Sequence, residues 1–221
     1  NSEITTKKTV THTKLQIGAM IALGVSHIHE LGTDSGHPYM AHYDINPRNI
    51  AIMEGGRPKL NDFNVAEFLR WDVEKNESCG FQGRFHDPWW RAPEEMIIDS
   101  AIVYVNGTKK IPYTTGISDN PPPINEKVDV YALGNVLYDL LTGHAPRGKM
   151  NDQNKADARE RVLNGEAPVL PRYHEKSSDP SIVALRHAMR KCFEKDPKKR
   201  ASAKEIADDL VKAALELQKG K

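Results

Sequence analysis

Apolar residues at Leu15, Ala19, Ala22, Val25, Ile28 and Leu31 recur at threes and fours. That period writes one buried face of a long helix over residues 13–32, with Gly32 ending it. The composition then turns to Gly, Pro and Asp, a loop, before two short apolar runs at 49–53 and 59–63. Glu54-Gly55-Gly56 separates them, so a small β-hairpin is expected. Residues 65–95 mix aromatic and charged side chains without a sustained period and read as a long loop. Residues 99–126, with Asn106-Gly107, Gly116 and Pro121-Pro122-Pro123, read as a second one. Residues 127–142 are apolar almost all the way round, which puts that helix in the middle of a domain, and Gly143 closes it at C′. A polar helix at 152–164, an amphipathic stretch at 182–194 and a last helix opened by the capping box Ser202-x-x-Glu205 complete the order. The expected fold is mainly α, a single domain over 1–221 with a small β-hairpin inside it and terminal helices at 182–217.

A length of 221 residues suits one well-cored domain. With 38% hydrophobic residues, 28% charged and a net charge of +1, the chain is too apolar for disorder and too balanced for a polyanion-binding surface, so no nucleic-acid partner is expected. The basic group Lys195, Lys198, Lys199 and Arg200 accordingly reads as a solvated loop. No run approaches the 18 apolar residues of a membrane segment, and the polar stretch 1–8 lacks the apolar core of a signal peptide, so an intracellular, cytoplasmic address, or the cytoplasmic side of a membrane protein, is expected. Cys79 and Cys192 are too few for a disulfide framework and read as reduced, structural thiols. His27 and His29, two apart on a helix, point to different faces and make no metal site. The chain begins with Asn1 rather than Met, which reads as a piece of a longer protein.

The candidate chemistry brackets the predicted hairpin. His42-Tyr43-Asp44-Ile45-Asn46-Pro47-Arg48-Asn49 stands before it and Asp62-Phe63-Asn64 at its far end. A carboxylate, an amide five residues on and a second carboxylate across a two-stranded turn have the ligand chemistry to hold Mg²⁺ over a phosphate. Taken singly, each reads equally well as an Asx-turn.

Order and spacing separate the two readings, because five segments resemble the protein kinase family in that family's order. His42-Tyr43-Asp44 with Asn49 resembles the catalytic loop, Asp62-Phe63-Asn64 the metal-binding turn, and Ala92-Pro93-Glu94 the motif that closes the activation segment at 62–94. Val128-Asp129-Val130-Tyr131-Ala132-Leu133-Gly134 resembles the start of the large lobe's buried helix, and the segment from Cys192 to Arg200 the family's late arginine-bearing stretch. The resemblance implies the C-terminal lobe of a protein kinase, transferring the γ-phosphoryl group of ATP with Mg²⁺ to a protein hydroxyl, Ser or Thr by default. It implies that Asp44 handles the hydroxyl proton with Asn46 beside it, that Asn49 and Asp62 hold the metal ions, and that Ala51 touches adenine. It also implies that His42 and Phe63 stack in a column anchored at Asp129, and that Glu94 pairs with Arg200.

Several positions depart from the family pattern. Asn46 stands where most Ser/Thr kinases carry a lysine, Tyr43 where an arginine reads an activation-loop phosphate, and Asn64 where a glycine follows Asp62-Phe63. Asn tolerates positive φ, so the turn is still expected to form. Ser78 is the only Ser or Thr between Asp62 and Glu94, in keeping with a segment not switched by phosphorylation. The run from Phe85 to Glu94 is nearest to the Trp-Tyr-Arg version of proline-directed kinases, without the threonine expected near Asp87 or Pro88. Trp89 and Trp90 read either as lining the substrate-side loop or as packing on the central helix. Residues 99–126 exceed the family's usual link and are taken as an insertion. No glycine-rich strand pair, strand lysine or glutamate-bearing helix precedes residue 13, so the small lobe is taken as a missing partner in cis and the fragment alone as inactive. The alternative is a catalytically impaired kinase-like scaffold that works by binding partners.

Overall fold

The computed structural model describes residues 2–31, 36–84, 87–96, 103–105, 108–110 and 124–219. Gly32, Phe85, His86, Gly116 and residues 121–123 lie outside the described residues. The chain is mainly helical. It opens on α1 (Ser2–Glu30), which starts eleven residues before the helix expected from the apolar period. Leu15, Ala19, Ala22, Val25 and Ile28 form its buried face, whereas Leu31, part of that face by sequence spacing, lies past the last helical residue and is half-exposed.

Short strands follow: β1 (Met40–Ala41), β2 (Ile50–Ile52), β3 (Pro58–Leu60), β4 (Glu67–Phe68), β5 (Trp71–Asp72) and β6 (Glu77–Ser78). The expected hairpin is β2–β3, with Ile50 opposite Leu60 and Ile52 opposite Pro58. The stretch 65–95, expected to be a bare loop, contains the antiparallel pair β5–β6 and the strand β4, which pairs with β1. After α2 (Pro93–Met96), β7 (Val103–Val105) pairs with β8 (Thr108–Lys110), so part of the second expected loop is also a ribbon. Strands of two or three residues are too short to write an alternating pattern in sequence.

The helices then run α3 (Lys127–Thr142), α4 (Asp152–Leu163), α5 (Arg172–Lys176), α6 (Pro180–Cys192) and α7 (Ala203–Lys219). Local chemistry sets their ends. Asn151 and Asp179 accept the first free N–H groups of α4 and α6. Ser202 Oγ accepts from Glu205 N at 3.1 Å while Glu205 Oε2 accepts from Ser202 N at 2.7 Å, which forms the expected capping box. Gly143 ends α3 at φ 72°, its N–H donating to Asp139 O at 2.7 Å. The core runs through α3, buried at Val128, Val130, Tyr131, Leu133, Leu137 and Leu141 and flanked by α1, α6 and α7. Gly134 lets α6 approach α3, because a Cβ there would meet Cys192 Cβ at 2.6 Å. Cys192 is thus a core thiol, its pKa pushed up to about 12 by burial, whereas Cys79 is exposed on the segment after β6 and has no structural packing role. Among the described residues, no helix is long and apolar enough to cross a membrane.

Candidate active site

The site rests on Asp129, a buried carboxylate in the first turn of α3. Its Oδ2 accepts from His42 N at 2.6 Å and its Oδ1 from Tyr43 N at 2.8 Å, so the most buried helix holds the backbone of the loop 42–49 directly. His29 of α1 donates a third bond to Asp129 Oδ2 at 3.0 Å. The sequence assigns this histidine no role beyond excluding it from a metal site; here it braces Asp129, 100 residues on, and through it the loop. Tyr43 is held at φ 63°, unusual for a bulky side chain, and the bond to Asp129 compensates that strain.

His42 is fully buried. Its Nε2 donates to Asn61 O at 3.0 Å and its Nδ1 accepts from Asp44 N at 3.3 Å, which selects the tautomer with hydrogen on Nε2. The Phe63 ring lies over it, centroids 4.6 Å apart, while Phe63 itself is nearly half-exposed. One imidazole therefore links the loop before the hairpin to the turn after it.

Within the loop, Asn46 caps a short 3₁₀ turn at Pro47–Asn49. Its Oδ1 accepts from Arg48 N and its Nδ2 donates to Asp44 O at 3.0 Å, so each end of this amide makes a bond within its own loop. The turn swings Asn49 back onto Asp44: Asn49 Nδ2 donates to Asp44 O at 2.9 Å and to Asp44 Oδ2 at 2.8 Å. With its nitrogen engaged, the atom left for a ligand is Oδ1, a hard oxygen donor of the kind Mg²⁺ takes. Asn49 O also accepts from Asn61 N at 2.9 Å, which extends the β2–β3 ladder and places Asp62 one residue beyond the contact. Asp62 is exposed and adopts φ 61°. The left-handed residue of this turn is Asp62 and not Asn64, so the tolerance invoked for Asn64 is not used. The structure thus brings Asp44 and Asn49 into contact and puts Asp62 one residue past the backbone bond from Asn61 to Asn49. Ala51 sits half-buried on β2 opposite Lys59.

Two arginines tie the segment 62–94 to this platform. Arg91 Nη2 donates to Asp44 Oδ1 at 2.6 Å and Nη1 to Tyr43 O at 2.6 Å, with Glu95 Oε1 a further 3.5 Å contact of Nη1. Arg91 lies next to the Ala92-Pro93-Glu94 motif yet receives no role from the sequence; nothing local signals a partner 47 residues away. Arg200 Nη1 and Nη2 reach Glu94 Oε1 and Oε2 at 2.6 and 2.9 Å, a buried bidentate pair. Between them lies Glu95, buried, accepting from Ala92 N at 2.6 Å, its pKa pushed up to about 8 by burial, which outweighs the lowering by Arg91. Tyr43 fills the position of the missing arginine as a buried plug: its ring meets Phe81 edge-on at 4.9 Å and its hydroxyl accepts from Arg84 N at 2.7 Å. Trp89 is buried and Trp90 packs partly against the core.

The protein kinase domain profile matches residues 1–210. The chain is similar to the dual specificity protein kinases pyk3 and shkC of Dictyostelium discoideum. The first is 27% identical over 86% of this chain and 11% of that protein, the second 26% over 89% and 31%. The serine/threonine-protein kinase KIC1 of Saccharomyces cerevisiae is 28% identical over 78% of this chain and 12% of its own length. The chain therefore spans a third or less of each of these curated relatives.

Proposed function

The chain belongs to the protein kinase family, and from that premise we propose that it is the catalytic large lobe of an enzyme that transfers the γ-phosphoryl group of ATP to a Ser or Thr hydroxyl of a protein. The observation that carries the reading is the Asp44–Asn49 contact at 2.8 Å, which leaves Asn49 Oδ1 open as an oxygen donor, with the exposed Asp62 one residue past the backbone bond from Asn61 N to Asn49 O. Those two residues would hold Mg²⁺; when bound, the metal neutralises charge on the phosphoryl group being transferred. Asp44 orients the acceptor hydroxyl and takes its proton. His42, Phe63 and Asp129 keep the loop and the metal-binding turn in one geometry, and Glu94 with Arg200 fastens the end of the activation segment.

A small lobe in cis completes the site over ATP. An apolar recess of about 240 Å³ between α1 and the β2–β3 ribbon, lined by Met20, Ile21, Ile28, Ile50, Leu60 and Phe63, supports a lobe seated there. The exposed Ile52 and Met53 on the same ribbon support it further. Asn46 favours the second reading, a catalytically impaired scaffold, since its amide is occupied within the loop and supplies no positive charge.

The test uses the full-length protein with Mg²⁺·ATP and dephosphorylated casein as acceptor. Asp62→Ala is expected to abolish ³²P transfer that the wild type performs. Equal signal from the two proteins refutes phosphotransfer at this site, and a wild type whose melting point Mg²⁺·ATP does not raise supports the scaffold.

A further inference from the structure

Asp44 sits in a loop short of positive charge. Between residues 42 and 49 the only permanent cation is Arg48, which is exposed and makes no contact with Asp44 among the described residues. The guanidinium that does touch Asp44 belongs to Arg91. Its side chain is 11% exposed, against 31% for Asp44, so the cation is sheltered while the carboxylate keeps an open edge. Arg91 is fixed from three sides. Nη1 donates to Tyr43 O, Glu95 lies one turn on in α2, and its Cζ stands 5.6 Å from the Tyr43 ring centroid. Asp44 is in turn held at both oxygens, Oδ1 by Arg91 and Oδ2 by Asn49. Two donors arriving from different chain segments define the plane of the carboxylate, yet each oxygen retains a lone pair for another hydrogen.

We propose that Arg91 is a positioning residue for phosphoryl transfer: it sets the orientation of the Asp44 carboxylate and so makes the catalytic loop depend on how the end of the activation segment docks. The inference rests on the phosphotransfer reading above. The fork matters as much as the charge, because one planar group bonds Tyr43 O and Asp44 Oδ1 together, which an ammonium on a flexible stem does poorly.

The test measures kcat and KM for ATP in the full-length wild type, Arg91→Met, Arg91→Lys and Asp62→Ala, with casein as acceptor and rates normalised to Mg²⁺·ATP-binding sites. Arg91→Met is expected to lose about 10²–10³ in kcat with KM for ATP within about twofold, the scale of removing one preorganised electrostatic contact. Arg91→Lys is expected to recover part of that loss at a wild-type melting temperature. If Arg91→Met does not fold, Arg91→Lys decides: about tenfold lower kcat than wild type supports positioning, and equal kcat overturns it. An Arg91→Met kcat within twofold of wild type, or above it as for the release of a brake, also overturns the proposal. A wild type no faster than Asp62→Ala sinks the phosphotransfer reading instead, and this inference with it.

Discussion

Two arginine–carboxylate pairs hold the same stretch of chain, one beneath it and one at the mouth of the site, and they are built to opposite specifications. Arg200 directs all five of its N–H groups at acceptors: Nε at Glu194 O, Nη1 at Glu94 Oε1 and Lys127 O, Nη2 at Glu94 Oε2 and Lys195 O. Its guanidinium also lies 5.1 Å from the centre of the Tyr131 ring. Arg91 makes one short contact to a carboxylate, one to a carbonyl and one long contact to Glu95. A fully satisfied, water-excluded pair has one arrangement and acts as a fastener. A pair with an open edge keeps its carboxylate available to a third group. The difference explains how one fold can lock the end of a segment while leaving the Asp44 side chain partly open to solvent.

The largest effect should come from the buried pair. Arg200→Met leaves Glu94 as a lone buried charge and empties three backbone acceptors, and the expected loss is about 3–5 kcal/mol in chemical denaturation. A loss under about 1 kcal/mol would put the two pairs in the same class and end the comparison. At the mouth, Asp44→Asn is expected to cost less than about 1 kcal/mol, because the pair is partly solvated and Arg91 keeps Tyr43 O and Glu95. Its phosphotransfer, in contrast, should fall to background. Denaturation midpoints and casein phosphorylation on the same preparations separate the two outcomes.

The buried pair was legible in sequence only through resemblance, since nothing in the composition joins Glu94 to a residue 106 positions on. The helices were legible on their own terms. Residues 127–142 bury almost every side chain, and the capping box at Ser202 and Glu205 is a local signal with a local outcome. The start of α1 was not, because residues 2–12 carry only Ile4 and Val10 as apolar side chains, six positions apart, and two such positions write no helical period. Asp44, Asn49 and Asp62 could be named from sequence because each sits at a fixed step from a motif neighbour. Their supports, His29 on Asp129 and Arg91 on Asp44, escaped because each is a contact between distant segments by a residue type common on surfaces.

The smallest effect sharpens the contrast from the residue lying between the two pairs. Glu95 is buried with a pKa raised to about 8 from an ordinary 4.5, burial being the main cause and Arg91 pulling the other way. The folded chain therefore holds a proton on Glu95 that the unfolded chain has released above pH 4.5. Stability from this group is complete below that value, declines as pH rises and is lost once pH passes 8. Glu95→Gln keeps an acceptor for Ala92 N without titrating, so its melting temperature is expected to fall less than that of wild type between pH 5 and 8, by a few degrees over the window. A wild-type curve parallel to that of Glu95→Gln would mean that Arg91 keeps Glu95 ionised throughout. Arg91 would then be shared between two full charges, and the mouth of the site would be an ion network as rigidly paired as the fastener beneath it.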